Sequence, residues 1–226
     1  MSLFFADDVK FSSRNKPIIN GVTLSIERGS VVGLLGQSGS GKSTLLKLLA
    51  GILVPSSGKI LYDGRDIQLM SNVENKTFRR HCSFVFQDSA LWANQDIQQN
   101  LNLPLQTHNP AMSPAERLDV IHDICKTVGY TRPLNLRPVD LSAGEQKRVA
   151  FARAFINKPD VLFLDECTES LDRKGSAQIV KLLLDFKEKG NTIIYVSHSS
   201  TFISEIQGTL YEIENGSLKN EGKNEV

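Results

Sequence analysis

Residues 31–51, VVGLLGQSGSGKSTLLKLLAG, hold a strand, a loop and a helix from which the architecture follows. From Val31 to Leu35 the run is apolar without a break, the pattern of a strand buried on both faces. From Ser43 onward Leu45, Leu46, Leu48 and Leu49 crowd one broad helical face, and Gly51 closes that helix. Between them Gly36, Gln37, Ser38, Gly39, Ser40, Gly41, Lys42 and Ser43 fit the pattern G-x-x-x-x-G-K-[ST], and Thr44 follows in the first helical turn. The glycines let the amides of residues 38–43 converge on phosphate oxygens, and the helix N-terminus adds partial positive charge. Lys42 is placed to reach terminal phosphates, and Ser43 to offer its hydroxyl to Mg2+. A phosphate cradle set between strand and helix predicts an α/β protein that binds a nucleotide.

Upstream, residues 3–11 and 18–26 are β-like, the second run alternating as Ile18, Val22, Leu24 and Ile26 before a turn at Arg28-Gly29. Downstream, KILYDGRDI carries an Asp63-Gly64 hairpin signal, and SFVFQ reads as a strand ending at Gln87. These runs predict an N-terminal antiparallel β subdomain. From Asp88 to Asp140 the character changes. NLPLQTHNPAMSP is rich in turn residues, and SPAERLDVIHDICKTVG is a helix with a Ser113 cap, Pro114 at its first position, Glu116 completing a capping box and Gly129 as terminator. The α/β frame resumes with a helix from Ala143 to about Asn157, the strand VLFLDE, a helix from about Arg173 to Lys189, the strand TIIYVSH and an Asn215-Gly216 hairpin. The polar end EGKNEV is expected to fray. The expected organisation is one domain over 1–226, with 1–87 and 141–226 as core and β subdomain and 88–140 as an inserted α-helical subdomain.

A chain of 226 residues is long enough to bury a sizeable core. Hydrophobic residues at 40% and charged residues at 23% exclude a disordered or membrane-embedded chain. Lys and Arg number 26 against 25 Asp and Glu, so no bulk charge draws the chain to nucleic acid or an anionic membrane. No apolar run approaches the roughly 18 residues of a membrane span. MSLFFADDVKF has acids where a secretory signal needs bases, which predicts a cytosolic protein. Cys82, Cys125 and Cys167 share no metal-knuckle spacing and are expected to be reduced, packed thiols.

VLFLDE ends in Asp165 and Glu166, at the edge of a sheet where open α/β folds place their ligands. Asp165 is placed to hold Mg2+, and Glu166 to polarise an attacking water as general base. Ser142, Ala143, Gly144 and Glu145 form a capping box with an accessible helix N-terminus, and both a plain cap and a second anion site are open at this point. Asn157-Lys158-Pro159-Asp160 and Asp172-Arg173-Lys174-Gly175 match the NKxD and DxxG patterns of GTPases but in reversed order. Asn157 and Pro159 read better as the end of a helix.

GQSGSGKS, Gln87 after SFVF, LSAGE, VLFLDE, ESLD and His198 after TIIYVS stand in one order over nearly the whole chain, which closely resembles the ATP-binding subunit of ABC transporters. The resemblance implies a P-loop NTPase fold with a RecA-like core. It implies ATP and Mg2+ as ligands, and hydrolysis at two composite sites of a head-to-tail homodimer. Phe11 would stack on adenine, a packed core phenylalanine being the alternative, and Gln87 would sense Mg2+ and water. Ser142 and Gly144, with Ala143 and Glu145, would reach the γ-phosphate bound by the opposite subunit. Glu166 would be the catalytic base, Asp172 would cross the dimer interface, and His198 would contact the γ-phosphate.

The same resemblance implies integral membrane permease subunits as partners, no nucleic acid, and a place on the inner face of the cell membrane. Leu91 and Trp92 lie where the family receives a permease helix, although core burial explains them equally well. DECTESLD departs from the family's DEPTSALD at Cys167, Glu169 and Ser170, and Ser199 and Ser200 follow His198 in place of an acid. None of these removes a group that holds phosphate, metal or water, so an active ATPase is expected. FQDSALWANQDIQQNLNLPL is similar to the corresponding segment of Mla/Mce-type lipid transporters, which implies a lipid cargo. A soluble ATPase of this family acting on nucleic acid or ribosomes is the rival reading.

Overall fold

The computed structural model describes residues 2–219 and the backbone of 223–224. Strands β1 (Ser2–Ser13) and β2 (Lys16–Glu27) pair antiparallel through a tight turn at Arg14-Asn15, where both residues have positive φ. Phe4, Ala6 and Val9 of β1 face inward although their spacing breaks a strict alternation. An irregularity between Ala6 and Val9 absorbs the extra residue and re-aims the strand. On β2, Val22, Leu24 and Ile26 are buried as expected, but the first buried position is Ile19, and Ile18 is only half-buried.

Next come β3 (Val31–Leu35) and α1 (Lys42–Leu49), whose Leu45, Leu46, Leu48 and Leu49 are all buried. β4 (Ser57–Tyr62) and β5 (Arg65–Asp66) make the hairpin around Asp63-Gly64. The first sheet has the order β2-β1-β4-β5 and is antiparallel throughout.

Helix α2 (Asn72–His81) has no counterpart in the sequence reading. A Ser71–Glu74 capping box starts it, and Phe78 is its only buried residue, so a single anchor leaves no apolar stripe to detect. β6 (Cys82–Val85) stops two residues short of the expected Gln87. The turn-rich reading of residues 102–114 holds for 109–113 but is corrected over 102–108, because α3 (Ile97–His108) runs straight through Pro104. An Asp96–Gln99 capping box opens this helix, and Ile97, Leu101 and Leu105 bury one face at helical spacing. Burial of that face outweighs the hydrogen bond that proline removes. Helix α4 (Pro114–Val128) has the expected Ser113–Glu116 box and ends on Gly129 at φ 71°.

Helix α5 (Ala143–Phe155) is followed by β7 (Val161–Asp165), α6 (Arg173–Glu188), β8 (Thr192–Val196) and α7 (Ser200–Ile206). Helix α7 was not expected; seven residues with two buried positions, Phe202 and Ile206, are too few to show a period. β9 (Thr209–Glu214) and β10 (Ser217–Leu218) flank the Asn215-Gly216 turn. Of the end expected to fray, only residues 223–224 are described, as β11 (Lys223–Asn224) beside β9; the other residues lie outside the described set.

The second sheet has the order β10-β9-β3-β8-β7-β6, and its five central strands from β9 to β6 are parallel. Successive residues of one strand enter different cores. Val161 and Phe163 pack with α1 and the first sheet, whereas Leu162 and Leu164 pack with α3, α4, α5 and α6. Two covered faces explain why VVGLL, VLFLD and TIIYV are apolar without alternation. Leu34 pairs with Val196, and Val196 with Asp165, so the residues just beyond β3, β7 and β8 emerge side by side at one edge.

Candidate functional site

At that edge a cleft of about 940 Å3 is lined by Ser38, Gly39 and Gly41 to Thr44 of the cradle together with Gln87, Glu166, Glu169 and His198. The cradle's shape depends on glycine. Gly41 has φ 106°, and a Cβ there would stand 2.9 Å from the Ile18 carbonyl oxygen; at Gly36, with φ 139°, it would stand 2.2 Å from that of Ile213. Gly41 caps α1 without a side-chain bond, so the first-turn amides remain available to a ligand. The Lys42 ammonium lies inside the loop, donating to the carbonyl oxygens of Gly36 at 2.9 Å and Gln37 at 2.8 Å. Burial pulls its pKa down, while Glu166 and Asp165 oppose that shift. Among the described residues the Ser40 hydroxyl is buried without a hydrogen-bond partner, packed against Gly36 and outside the cleft lining. The uncapped first-turn amides beside the Lys42 ammonium fit a bound polyphosphate.

Behind the cradle, Ser43 donates to Asp165 Oδ1 at 2.7 Å, and Lys47 lies 3.7 Å from Asp165 Oδ2. Glu166 sits at φ 44°, its amide donating to the Val196 carbonyl at 3.0 Å. Its carboxylate turns to β8's end, accepting from the His198 amide at 3.1 Å, with His198 Nε2 at 3.4 Å. Burial raises the Glu166 pKa and the charges of Glu169 and Asp165 add to the rise, whereas the His198 contacts oppose it. A carboxylate held more basic than usual is suited to take a proton from water. Gln87 Nε2 donates to Glu169 Oε2 at 3.0 Å.

Among the described residues, no group of three or more His, Cys, Asp or Glu side chains is arranged to hold a metal ion. The Ser43–Asp165 pair still fits Mg2+, which takes one or two protein oxygens and completes its shell with phosphate and water.

Ser142, Ala143, Gly144, Glu145 and Asp172 do not line this cleft. The Glu145 amide donates to Ser142 Oγ at 3.3 Å and the Ser142 amide to Glu145 Oε2 at 2.8 Å. Gly144 packs so closely that a Cβ would stand 2.9 Å from the Ser170 carbonyl oxygen. Asp172 caps α6 by accepting from Gly175 at 2.9 Å, with Arg148 3.4 Å away. These residues form a second cluster on the same chain.

Phe11 is not among the lining residues either. It pairs across the hairpin with Ile19, whose side chain is buried, and cross-strand partners share a face. The lining at this end comes from Lys16, Pro17, Ile18 and Asn20, of which the sequence reading named only Ile18, and that as a strand position. The Asn215-Gly216 turn was read only as a hairpin, yet it buttresses the cradle. The Gly216 amide donates to the Ser40 carbonyl at 3.0 Å, and Asn20 Nδ2 to that of Asn215 at 2.8 Å.

The family model described as ABC transporter matches residues 19–169. The methionine import ATP-binding protein MetN of Rhizobium johnstonii is 35% identical over 217 residues, covering 96% of this chain and 59% of that protein. MetN of Staphylococcus haemolyticus is 34% identical, covering 95% of this chain and 63% of its own. The chain thus spans about three-fifths of the length of these curated relatives. A solved dimeric ATP-binding cassette in a post-hydrolysis state, bound to ADP and Pi, superposes with a TM-score of 0.90 at 29% identity and covers 99% of both chains.

Proposed function

Because this chain belongs to the ABC transporter family, we propose that it is an ATP-binding subunit that hydrolyses ATP to drive separate membrane subunits. The observation that carries this reading is the convergence of Ser43, Asp165, Glu166 and His198 behind the phosphate cradle. The cradle amides and Lys42 hold the phosphates, and Glu166 accepts the proton of the attacking water. His198 orients the Glu166 carboxylate and faces the terminal phosphate. Ser43, Asp165 and Gln87 would hold Mg2+, which neutralises charge on the phosphates when bound.

The Ser142 helix end, outside the chain's own cleft, completes the cleft of a second copy in a head-to-tail dimer. The dimeric relative with ADP and Pi supports this arrangement. No helix among the described residues is long and apolar enough to cross a membrane, and a groove of about 510 Å3 lies beside Trp92, Gln99 and Leu103. With Trp92 42% and Leu103 43% exposed, this groove is the docking face for a permease helix, and 88–140 is the helical part that moves with it. The lipid cargo implied by residues 86–105 finds no counterpart in the curated relatives, which are named for methionine import. Cargo belongs to the membrane subunit rather than to this chain.

The test is affinity purification from membranes. Recovery of a multi-span membrane protein, lost on Trp92→Glu, is the expected result, whereas recovery of RNA or DNA would favour the soluble rival.

A further inference from the structure

Two charged residues outside the hydrolytic roles assigned above hold Gln87, one by its main chain and one by its side chain. Lys147 of α5 is 1% exposed, on the helix face that also buries Phe151 and Ala154. Its ammonium donates to the carbonyl oxygens of Phe86 at 3.0 Å and Gln87 at 2.5 Å, just beyond the end of β6. A buried ammonium must be paired, and a position on an apolar helix face could have been filled by leucine without that demand. Glu169, exposed at the cleft, accepts from Gln87 Nε2 at 3.0 Å. An ionised carboxylate only accepts, so it selects one orientation of the amide. The nitrogen turns to Glu169, and the carbonyl oxygen, the atom able to ligate a metal ion, is left as the free end.

We propose that Glu169 and Lys147 are positioning residues for Gln87, Glu169 setting which end of its amide is offered to the metal ion and Lys147 anchoring the main chain that carries it. The inference rests on the nucleotide and metal reading of the cleft. Lys147 lies outside the cleft and Glu169 lines it beside Gln87, so their effect on the metal ion is read separately from ATP affinity.

The experiment titrates Mn2+ by electron paramagnetic resonance into the full chain carrying Glu166→Gln and saturated with ATP, and measures ATP affinity separately in EDTA. Adding Glu169→Ala weakens Mn2+ binding about three- to tenfold, the worth of one hydrogen bond, whereas ATP affinity in EDTA does not fall, because the variant removes negative charge from the cleft. Glu169→Gln restores Mn2+ binding only in part, because its amide oxygen accepts the same bond while its NH2 can also pair with the Gln87 oxygen. Lys147→Met behaves like Glu169→Ala; because it also alters the interior, the surface variants decide the outcome. Unaltered Mn2+ binding in Glu169→Ala overturns the proposal, as does a Glu169→Gln variant as weak as Glu169→Ala. A chain that binds Mn2+ with ATP but never hydrolyses it would instead overturn the ATPase reading and leave this comparison intact.

Discussion

The Ser43 hydroxyl donates to Asp165 Oδ1 at 2.7 Å although 122 residues separate the two. The first turn of α1 and the last residue of β7 meet because β8 lies between β3 and β7 and brings their ends to one edge. A carboxylate buried here is no solvated turn. Asp165→Asn should retain ATP binding in EDTA but lose the gain that Mg2+ brings, with hydrolysis falling about a hundredfold or more. Calorimetric titration with and without Mg2+, beside a phosphate-release assay, checks both halves.

Lys42→Ala removes the ammonium held by Gly36 and Gln37. Charge-assisted bonds to phosphate are lost with it, and the ATP dissociation constant should rise at least about tenfold. Unchanged affinity for a fluorescent nucleotide would refute the cradle assignment.

Glu166→Gln preserves shape but not basicity. Hydrolysis should fall by about 10²–10⁴-fold, the range for a general base, and the uncleaved nucleotide should trap a dimer. Light scattering after size exclusion with ATP distinguishes the outcomes, since a monomer under these conditions contradicts the head-to-tail arrangement.

Gly41→Ala and Gly39→Ala separate strain from collision. Both positions have positive φ, but a Cβ at Gly41 meets Ile19 Cδ1 at 2.8 Å and the Ile18 carbonyl oxygen at 2.9 Å, while at Gly39 nothing lies within 4 Å. Gly39→Ala should destabilise by about 1 kcal/mol and Gly41→Ala by about 2–3 kcal/mol, read from thermal unfolding. Equal shifts would show that space at the cradle is immaterial.

Three capping boxes tie stability to pH. Glu74, Glu116 and Glu145 each accept from a serine amide and then from its hydroxyl, which lowers their pKa values. Folded values below the unfolded one, about 4.3, mean that the unfolded chain binds more protons. The stabilisation is therefore complete above that value and fades as pH falls through the lowered ones. Glu116→Gln keeps a capping side chain but does not titrate, so the Tm advantage of the unmodified chain over this variant should shrink between about pH 6 and pH 3. A constant difference would contradict the sign.

The cradle, the helix after it, α4 with its box and the hairpins at Asp63-Gly64 and Asn215-Gly216 were legible from residues alone. Each is specified within a few positions, where glycine, proline and capping side chains dictate backbone geometry directly. The hidden elements lacked that local signature. Helix α2 has one anchor, α7 is too short to show a period, and α3 carries a proline that a buried face overrides.

The chemistry divides the same way. Gly36 to Ser43, Asp165 and Glu166 could be named from the chain because their types and spacing match what phosphate, metal and water require, whereas His198 was named only through the family resemblance. Which residues share a wall of the cleft depended on packing between distant segments. β8 joins Glu166 to His198, Ile19 turns Phe11 away from the lining, and Lys147 grips the carbonyls beside Gln87 from a helix 60 residues on. Backbone geometry is a short-range property of neighbouring residues, whereas the facing of a side chain is settled by whatever the rest of the fold lays against it.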